Sequence, residues 1–171
     1  MRFFRNKRLI LVLAGLVWIH LSLLPLFSVW GIKPDFFFIF LAFYAFRVNW
    51  KPVVGLAFFI GLIRDLLTNS FFGLETASMV GGTILLQFFA MRFDREKRWI
   101  QAASLFSFSW FALLLFSLAA FLIQRPYFLN EWTPVKTFLI SVYTTAVGFV
   151  LFPFLEKWFG AALRQKQYEL F

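Results

Sequence analysis

Two adjacent ionisable residues, Arg64 and Asp65, interrupt an apolar segment in the stretch GLIRDLLTNSFFG, which runs from Gly61 to Gly73. Charged side chains are costly inside a bilayer, so they pair there with one another, with backbone groups or with a ligand. A carboxylate at such depth can move protons, or it can act in aspartyl proteolysis together with a second carboxylate. Asp65 is the one carboxylate that lies well inside an apolar segment. The sequence therefore does not predict a catalytic pair.

The other polar residues of the apolar segments form no catalytic motif. The lack of cysteine excludes thiolate metal sites and cysteine nucleophiles within these 171 residues, and a single histidine, His20, argues against a metal site built from histidines. Ser104, Ser107 and Ser109 are not part of a G-x-S-x-G motif, and there is no Gly-rich phosphate loop. We interpret His20 and Gln87 as hydrogen-bonding groups between helices. We expect no enzymatic activity and no cofactor.

The composition requires a membrane environment for the elements that carry these residues. Hydrophobic residues make up 61% of the chain and charged residues 15%. Soluble domains have about 45–50% apolar and about 25% charged residues. The mean hydropathy is +0.79. The chain is therefore expected to be an integral membrane protein.

Six apolar segments approach the length of about 20 residues with which a helix crosses the hydrocarbon layer. Backbone groups have no water partner in lipid, so each segment is expected to be helical. The second is the shortest, because its strongly apolar part ends at Phe46. The sequence thus predicts an all-α protein whose residues 1–171 form one six-helix transmembrane domain. The segments are Leu9–Trp30, Pro34–Trp50, Pro52–Thr68, Gly73–Met91, Trp99–Ile123 and Val135–Phe159.

Basic residues between these segments predict the orientation. With six crossings, four basic clusters lie on one side, and cytoplasmic loops are rich in Lys and Arg, so both termini are expected in the cytoplasm. If the second segment only re-entered the membrane, the cluster RFDREKR would face outward, against this rule. Basic residues that flank helices also explain the net charge of +9 without nucleic acid and favour contact with membrane lipids. The clusters span Arg2–Arg8, Arg47–Lys51, Arg92–Arg98 and Lys157–Lys166.

Small residues at a spacing of four predict where the helices pack closely. Ala57, Gly61 and Asp65 share one face of the third segment, which directs Asp65 into the bundle. We expect Asp65 to hydrogen-bond to the start of the fourth helix or to the polar turn before it. Similar pairs occur on the fourth segment (Ala77 with Gly81, Ser78 with Gly82) and on the sixth (Ser141 with Thr145, Thr144 with Gly148).

Arg64, Gly73 and Glu75 complete the set of candidate structural or partner-contact residues. Arg64 points about 100° away from Asp65 around the helix, so the two either pair loosely or reach different partners. They could also lie close enough to the outer interface to extend into water. Gly73 permits unusual backbone angles before the fourth helix. Glu75 lies in the first turn of that helix, where the helix dipole favours a carboxylate.

These residues resemble a pattern of the MreD family of rod-shape-determining membrane proteins. Pro34 and Asp35 open a short second segment, Gly61 precedes Asp65 by four residues, and a glycine, Gly73, follows the polar turn. Pro153 in the last segment is also similar to the family. The size, the six-segment layout and the basic termini agree with it, so the resemblance extends over nearly the whole chain.

The resemblance implies a non-enzymatic component of the bacterial inner membrane that belongs to the cell-elongation machinery. Such proteins associate with MreC and, through it, with MreB, RodA and the penicillin-binding protein that works with RodA. They help to maintain rod shape by regulating peptidoglycan synthesis. The resemblance also implies a fold similar to the substrate-binding subunits of energy-coupling-factor transporters.

A small-molecule transporter, or a substrate-binding transporter subunit, is the alternative. In that case His20, Asp65, Glu75 and Gln87 would line a cavity in the outer half of the membrane. A polar cavity of ligand size would favour transport, whereas a Phe-filled bundle would favour a scaffold.

Overall fold

In a computed structural model of the protein, the described residues are 31–67, 72–93, 97–124 and 133–168, together with residues 14, 15, 17, 18, 22 and 28. Helices α2 to α5 pack against one another in chain order, and α1 contacts all four. The prediction of an all-α protein is confirmed for this part of the chain. The helices are α1 (Phe36–Ala45), α2 (Trp50–Leu67), α3 (Leu74–Arg92), α4 (Arg98–Gln124) and α5 (Thr133–Tyr168).

Helix α1 lies in the centre of the bundle. Its sequence FFFIFLAFYA is apolar on every side, and a helix of this kind is buried all round. Nine of its ten residues are buried, all but Phe36. Asp35 is the N-cap, with Pro34 immediately before it, and the helix ends at Ala45. The core around α1 is rich in phenylalanine, with Phe38 and Phe108 in edge-to-face contact at 5.1 Å between ring centroids.

Three of the described helices, α3, α4 and α5, are long and apolar enough to cross a membrane. Helix α1 is too short, because ten residues rise about 15 Å and the hydrocarbon layer is about 30 Å thick. Helix α2 has 18 residues but carries Lys51, Arg64 and Asp65. The first predicted segment, Leu9–Trp30, lies almost entirely outside the described residues. The described helices thus show fewer spans than the six predicted.

The structure corrects the bounds of the second and sixth predicted segments. Trp50 does not end the second helix; it begins α2, because the chain leaves helical conformation after Ala45. Helix α5 continues beyond Phe159 to Tyr168 and includes Pro153. Proline removes one backbone donor from a helix interior, and here the helix continues past it.

Arg47 lies just beyond the C-terminal end of α1 and contacts both α1 and α5. Its Nη1 donates to the carbonyl of Phe43 at 3.2 Å, and its guanidinium carbon lies 3.9 Å from the centroid of the Phe43 ring. Its Nη2 pairs with Oε1 of Glu156 on α5 at 3.0 Å. Because α1 and α3 end here while α2 and α4 begin here, one end of the bundle collects the basic residues, and we call it the basic end. Its other described cations are Lys51, Arg92, Lys97, Arg98 and Lys157.

Candidate functional site

Asp65 on α2 caps the start of α3. The N-cap residue of α3 is Gly73, which has no side chain to accept the free N–H groups of the first turn. Asp65 Oδ1 accepts the backbone N–H of Glu75 at 2.9 Å, and its Oδ2 accepts the N–H of Thr76 at 3.2 Å. The hydroxyl of Thr76 donates to the same Oδ2 at 2.5 Å. A carboxylate of one helix thus performs the capping that the next helix cannot supply itself.

Two glycines make this arrangement possible, each for a different reason. A Cβ atom at Gly61 would overlap with the Cα of Thr76, so the backbones of α2 and α3 can approach this closely only at a glycine. Gly73 has φ +98°, a left-handed conformation that favours glycine. The chain therefore turns sharply into α3 and presents its first N–H groups to Asp65.

Arg64 bridges two carboxylates from different elements. Its Nη1 donates to Oδ2 of Asp35, which precedes α1. Its Nε lies 3.1 Å from Oε2 of Glu75, and its Nη2 donates to Oε1 of Glu75 at 3.3 Å. Two guanidinium nitrogens thus contact the two carboxylate oxygens of Glu75. This bidentate arrangement is stronger than a single contact between Arg and a carboxylate. The Phe38 ring lies beside the guanidinium, 5.3 Å from its carbon to the ring centroid.

Asp35 connects this ion pair to α1 and α5. Its Oδ1 accepts the backbone N–H groups of Phe37 at 3.0 Å and Phe38 at 3.4 Å, which caps α1. Its own N–H donates to the hydroxyl of Thr144 on α5 at 3.0 Å. Thr144 lies eleven residues after the start of α5, or about 16 Å along a helix whose apolar part would span about 30 Å. The start of α1 is thus held near the middle of the apolar part of α5, Thr133–Lys157.

The charges of this group compensate one another within the bundle. We call Asp35, Arg64, Asp65, Glu75 and Thr76 the polar cluster. It contains one guanidinium and three carboxylates. Arg64 neutralises part of the negative charge, and the first turns of α1 and α3 direct N–H groups at two of the carboxylates, where the helix dipole favours an anion. An uncompensated charge at this depth would be costly, so the contacts explain how the bundle contains these residues.

The structure brings five of the six predicted candidates together. Gly61, Arg64, Asp65, Gly73 and Glu75 all contribute to the junction of α2 and α3. Ala57 is fully buried one turn before Gly61 on the same face of α2. The contact expected between Asp65 and the start of the fourth predicted segment is present, and Arg64 reaches different partners. Whether any of these residues contacts a partner protein stays a prediction.

Three participants were not identified from the sequence. Asp35 was interpreted only as the start of a helix, yet it is also an ion-pair partner of Arg64. Thr76 and Thr144 supply hydroxyl groups that no motif marks; Thr144 had been noted only for its small size. His20 lies outside the described residues.

The contacts of the carboxylates are structural. A proteolytic pair would need two carboxylates that share a proton, but the Arg64 guanidinium pairs with both Asp35 and Glu75. Among the described residues, no group of three or more His, Cys, Asp or Glu side chains is placed to hold a metal ion. Asp65 and Glu75 are engaged within the cluster, and Gln87 Nε2 lies 3.5 Å from the carbonyl of Ala45. Asp65, Glu75 and Gln87, which would line a cavity in a transporter, therefore bind other groups of the protein. The core beside them is rich in phenylalanine.

Comparison with known families gives a match over nearly the whole chain. The model of the rod shape-determining protein MreD matches residues 2–165. Comparisons with curated proteins and with solved structures find no match. The family match includes α1 to α4, most of α5 and every residue of the polar cluster. Together with three helices fit to cross a membrane, it shows that this membrane protein belongs to the MreD family of rod shape-determining proteins.

Proposed function

We propose that this chain is a non-enzymatic scaffold of the bacterial inner membrane that binds MreC within the cell-elongation complex. Through MreC it acts with MreB, RodA and the partner penicillin-binding protein of RodA, and so regulates peptidoglycan synthesis in rod-shaped growth. The observation that carries this proposal is the family match over residues 2–165.

The proposed topology has six crossings and both termini in the cytoplasm. The basic end then faces the cytoplasm, in agreement with the excess of Lys and Arg in cytoplasmic loops. In this topology α1 alone is too short to cross, so the second crossing consists of α1 together with the non-helical residues on either side of it, 31–35 and 46–49. The polar cluster then lies in the outer half. A fold similar to the substrate-binding subunits of energy-coupling-factor transporters belongs to the same proposal.

The junction of α2 and α3 is the surface that we assign to partner binding. The polar cluster fixes the geometry of this hairpin, while exposed apolar residues lie at its tip, among them Leu66, which is 75% exposed, and Phe72, which is 69% exposed. We assign these exposed apolar groups at the ends of α2 and α3 to contact with another membrane protein. A change that displaces the hairpin should therefore weaken partner binding.

Co-purification from native membranes tests the proposal. A tagged chain should retain MreC after mild solubilisation, and Gly61→Leu should lose it, because any side chain at residue 61 collides with the backbone of α3. Gly55→Ala is the matched control, since Gly55 lies on the same helix and a Cβ there meets nothing within 4 Å. Cells that carry Gly61→Leu as their single copy should lose rod shape, whereas Gly55→Ala cells should keep it. If MreC does not co-purify with the unsubstituted chain, the proposal is wrong.

A further inference from the structure

Helix α1 is held by charged groups at both of its ends. At its start, Asp35 pairs with Arg64, which also binds Glu75. At its end, Arg47 pairs with Glu156 on α5. The two ion pairs are twelve residues apart along the chain, or about 18 Å along a helix axis. One short element thus connects an ion-pair site near the middle of the bundle with another at the basic end.

The packing of α1 leaves it little freedom except to move as a unit. Nine of its ten residues are buried, and it contacts α2, α3, α4 and α5. Close-packed interiors transmit displacement because they contain few voids that could absorb it. The end of α1 is also tied to α5 through the Phe43 and Phe152 rings, whose centroids are 6.1 Å apart. A shift at the start of α1 should therefore reach Arg47.

Loss of an ion pair at the start of α1 would cause such a shift, because the pair is buried. The side chains of Arg64, Asp35 and Glu75 are 12%, 10% and 7% exposed, so each loses most of its hydration. Removal of one partner breaks a buried ion pair and changes the balance of charge around Arg64, which is destabilising inside the protein. The remaining groups, together with the helix start that Asp35 caps, must then rearrange.

We propose that α1 couples the state of the Asp35–Arg64–Glu75 ion pairs to the position of the Arg47–Glu156 pair at the basic end. A change in the contacts of Arg64 displaces α1 as a rigid element and alters the basic end. This coupling is a property of the chain itself and does not depend on the proposed binding of MreC.

A distance measurement between two labels tests the coupling directly. The chain contains no cysteine, so Asn49→Cys and Lys157→Cys can carry spin labels without background labelling. Both positions are exposed; the first lies two residues after Arg47, and the second follows Glu156. Pulsed electron paramagnetic resonance on the protein in lipid nanodiscs then reports the separation between the end of α1 and α5. We expect Asp35→Asn to shift this distance by about 1–2 Å, the usual scale of helix shifts, or to broaden its distribution.

Asp35→Asn is the appropriate change because asparagine caps helices about as well as aspartate, so that the charge is lost but the cap is kept. Lys33→Gln is the matched control, since it also removes one charge near the start of α1 but lies outside the polar cluster; it should leave the distance unchanged. A triple variant, Asp35→Asn with Arg64→Gln and Glu75→Gln, removes both ion pairs together with the charge of Arg64. Because the contacts that hold the start of α1 are lost in this variant too, it should also shift the distance or broaden its distribution.

Arg47→Gln breaks the Arg47–Glu156 pair at the basic end and is the positive control for a change in the label distance. The proposal is overturned if Arg47→Gln changes the distance while Asp35→Asn and the triple variant do not. It is equally overturned if Arg47→Gln has no effect, because the end of α1 would then not be held by this pair. Loss of MreC from the complex without any change in the distance would leave the proposed function intact and reject the coupling.

Discussion

Arg64 and Asp65 are neighbours in sequence, but they stabilise different contacts. Asp65 joins α2 to the first turn of α3. Arg64 joins α2 to Asp35 before α1 and to Glu75 on α3. Successive residues of a helix point about 100° apart, so one pair of charges can reach two sides of α2. Two adjacent polar residues thus fix the positions of three helices.

Replacing Asp65 should destabilise the protein in a graded way. Asp65→Ala leaves the N–H groups of Glu75 and Thr76 without their acceptor at a buried helix start, and we expect a loss of about 1–3 kcal/mol in the free energy of unfolding. Asp65→Asn keeps one side-chain oxygen and should lose less. Thermal unfolding of the purified protein in detergent measures both variants. Lys33→Gln, which alters an exposed side chain outside the polar cluster, is the control. Equal stability of Asp65→Ala and the unsubstituted chain would contradict the assigned cap.

At the scale of residues, the sequence predicts the contact of Asp65 with Glu75 better than the contact of Arg64 with Asp35, which is more distant along the chain. The contact of Asp65 follows from its position on the face of Gly61, ten residues before Glu75. The contact of Arg64 with Asp35 joins residues 29 positions apart. Asp35 already had a sufficient explanation as a helix cap, so nothing in the sequence required a second role. The donation from Asp35 to Thr144, across 109 positions, depends on how α1 and α5 pack.

At the scale of elements, the α2–α3 hairpin depends on one close backbone approach. Gly61→Ala should reduce stability by about 1–3 kcal/mol, because the added methyl group meets the Cα of Thr76 and the backbones must separate. Gly55→Ala on the same helix should be neutral or slightly stabilising, since alanine is the better helix former by about 1 kcal/mol and the space is open. Thermal unfolding of the two variants side by side tests this contrast. Similar losses in both would mean that the approach of α2 to α3 does not limit stability.

Helix α1 shows why element boundaries were harder to predict than helical content. A short, uniformly apolar run is compatible with a membrane crossing and with a buried core helix, because both lack a polar face. The positions of the basic clusters favoured a crossing as far as Trp50. The helix instead ends at Ala45, and Arg47 then binds back to Phe43 and across to Glu156. The hydrophobic periodicity of the sequence does not predict side-chain contacts of this kind.

At the scale of the whole molecule, the separation of charge predicts the orientation in the membrane. The basic end carries Arg47, Lys51 and Arg92, whereas Lys136 lies near the start of α5 at the opposite end. A membrane-impermeant thiol reagent should therefore label Lys136→Cys in cells whose inner membrane is intact. It should label Asn49→Cys only after lysis. The reverse pattern would place the basic end outside and reject the proposed topology.

We expect the ion pairs of Arg64 to affect how the chain enters the bilayer during synthesis. An arginine or an aspartate costs about 2.5–3.5 kcal/mol at the centre of an isolated helix on the scale measured at the translocon, and less towards its end, where Arg64 and Asp65 lie. The counter-charge of Glu75 becomes available only after α3 has left the ribosome, while Asp35 has already emerged. Integration is therefore expected to be cooperative, with α2 retained beside the translocon until α3 arrives and the two released into lipid as a hairpin.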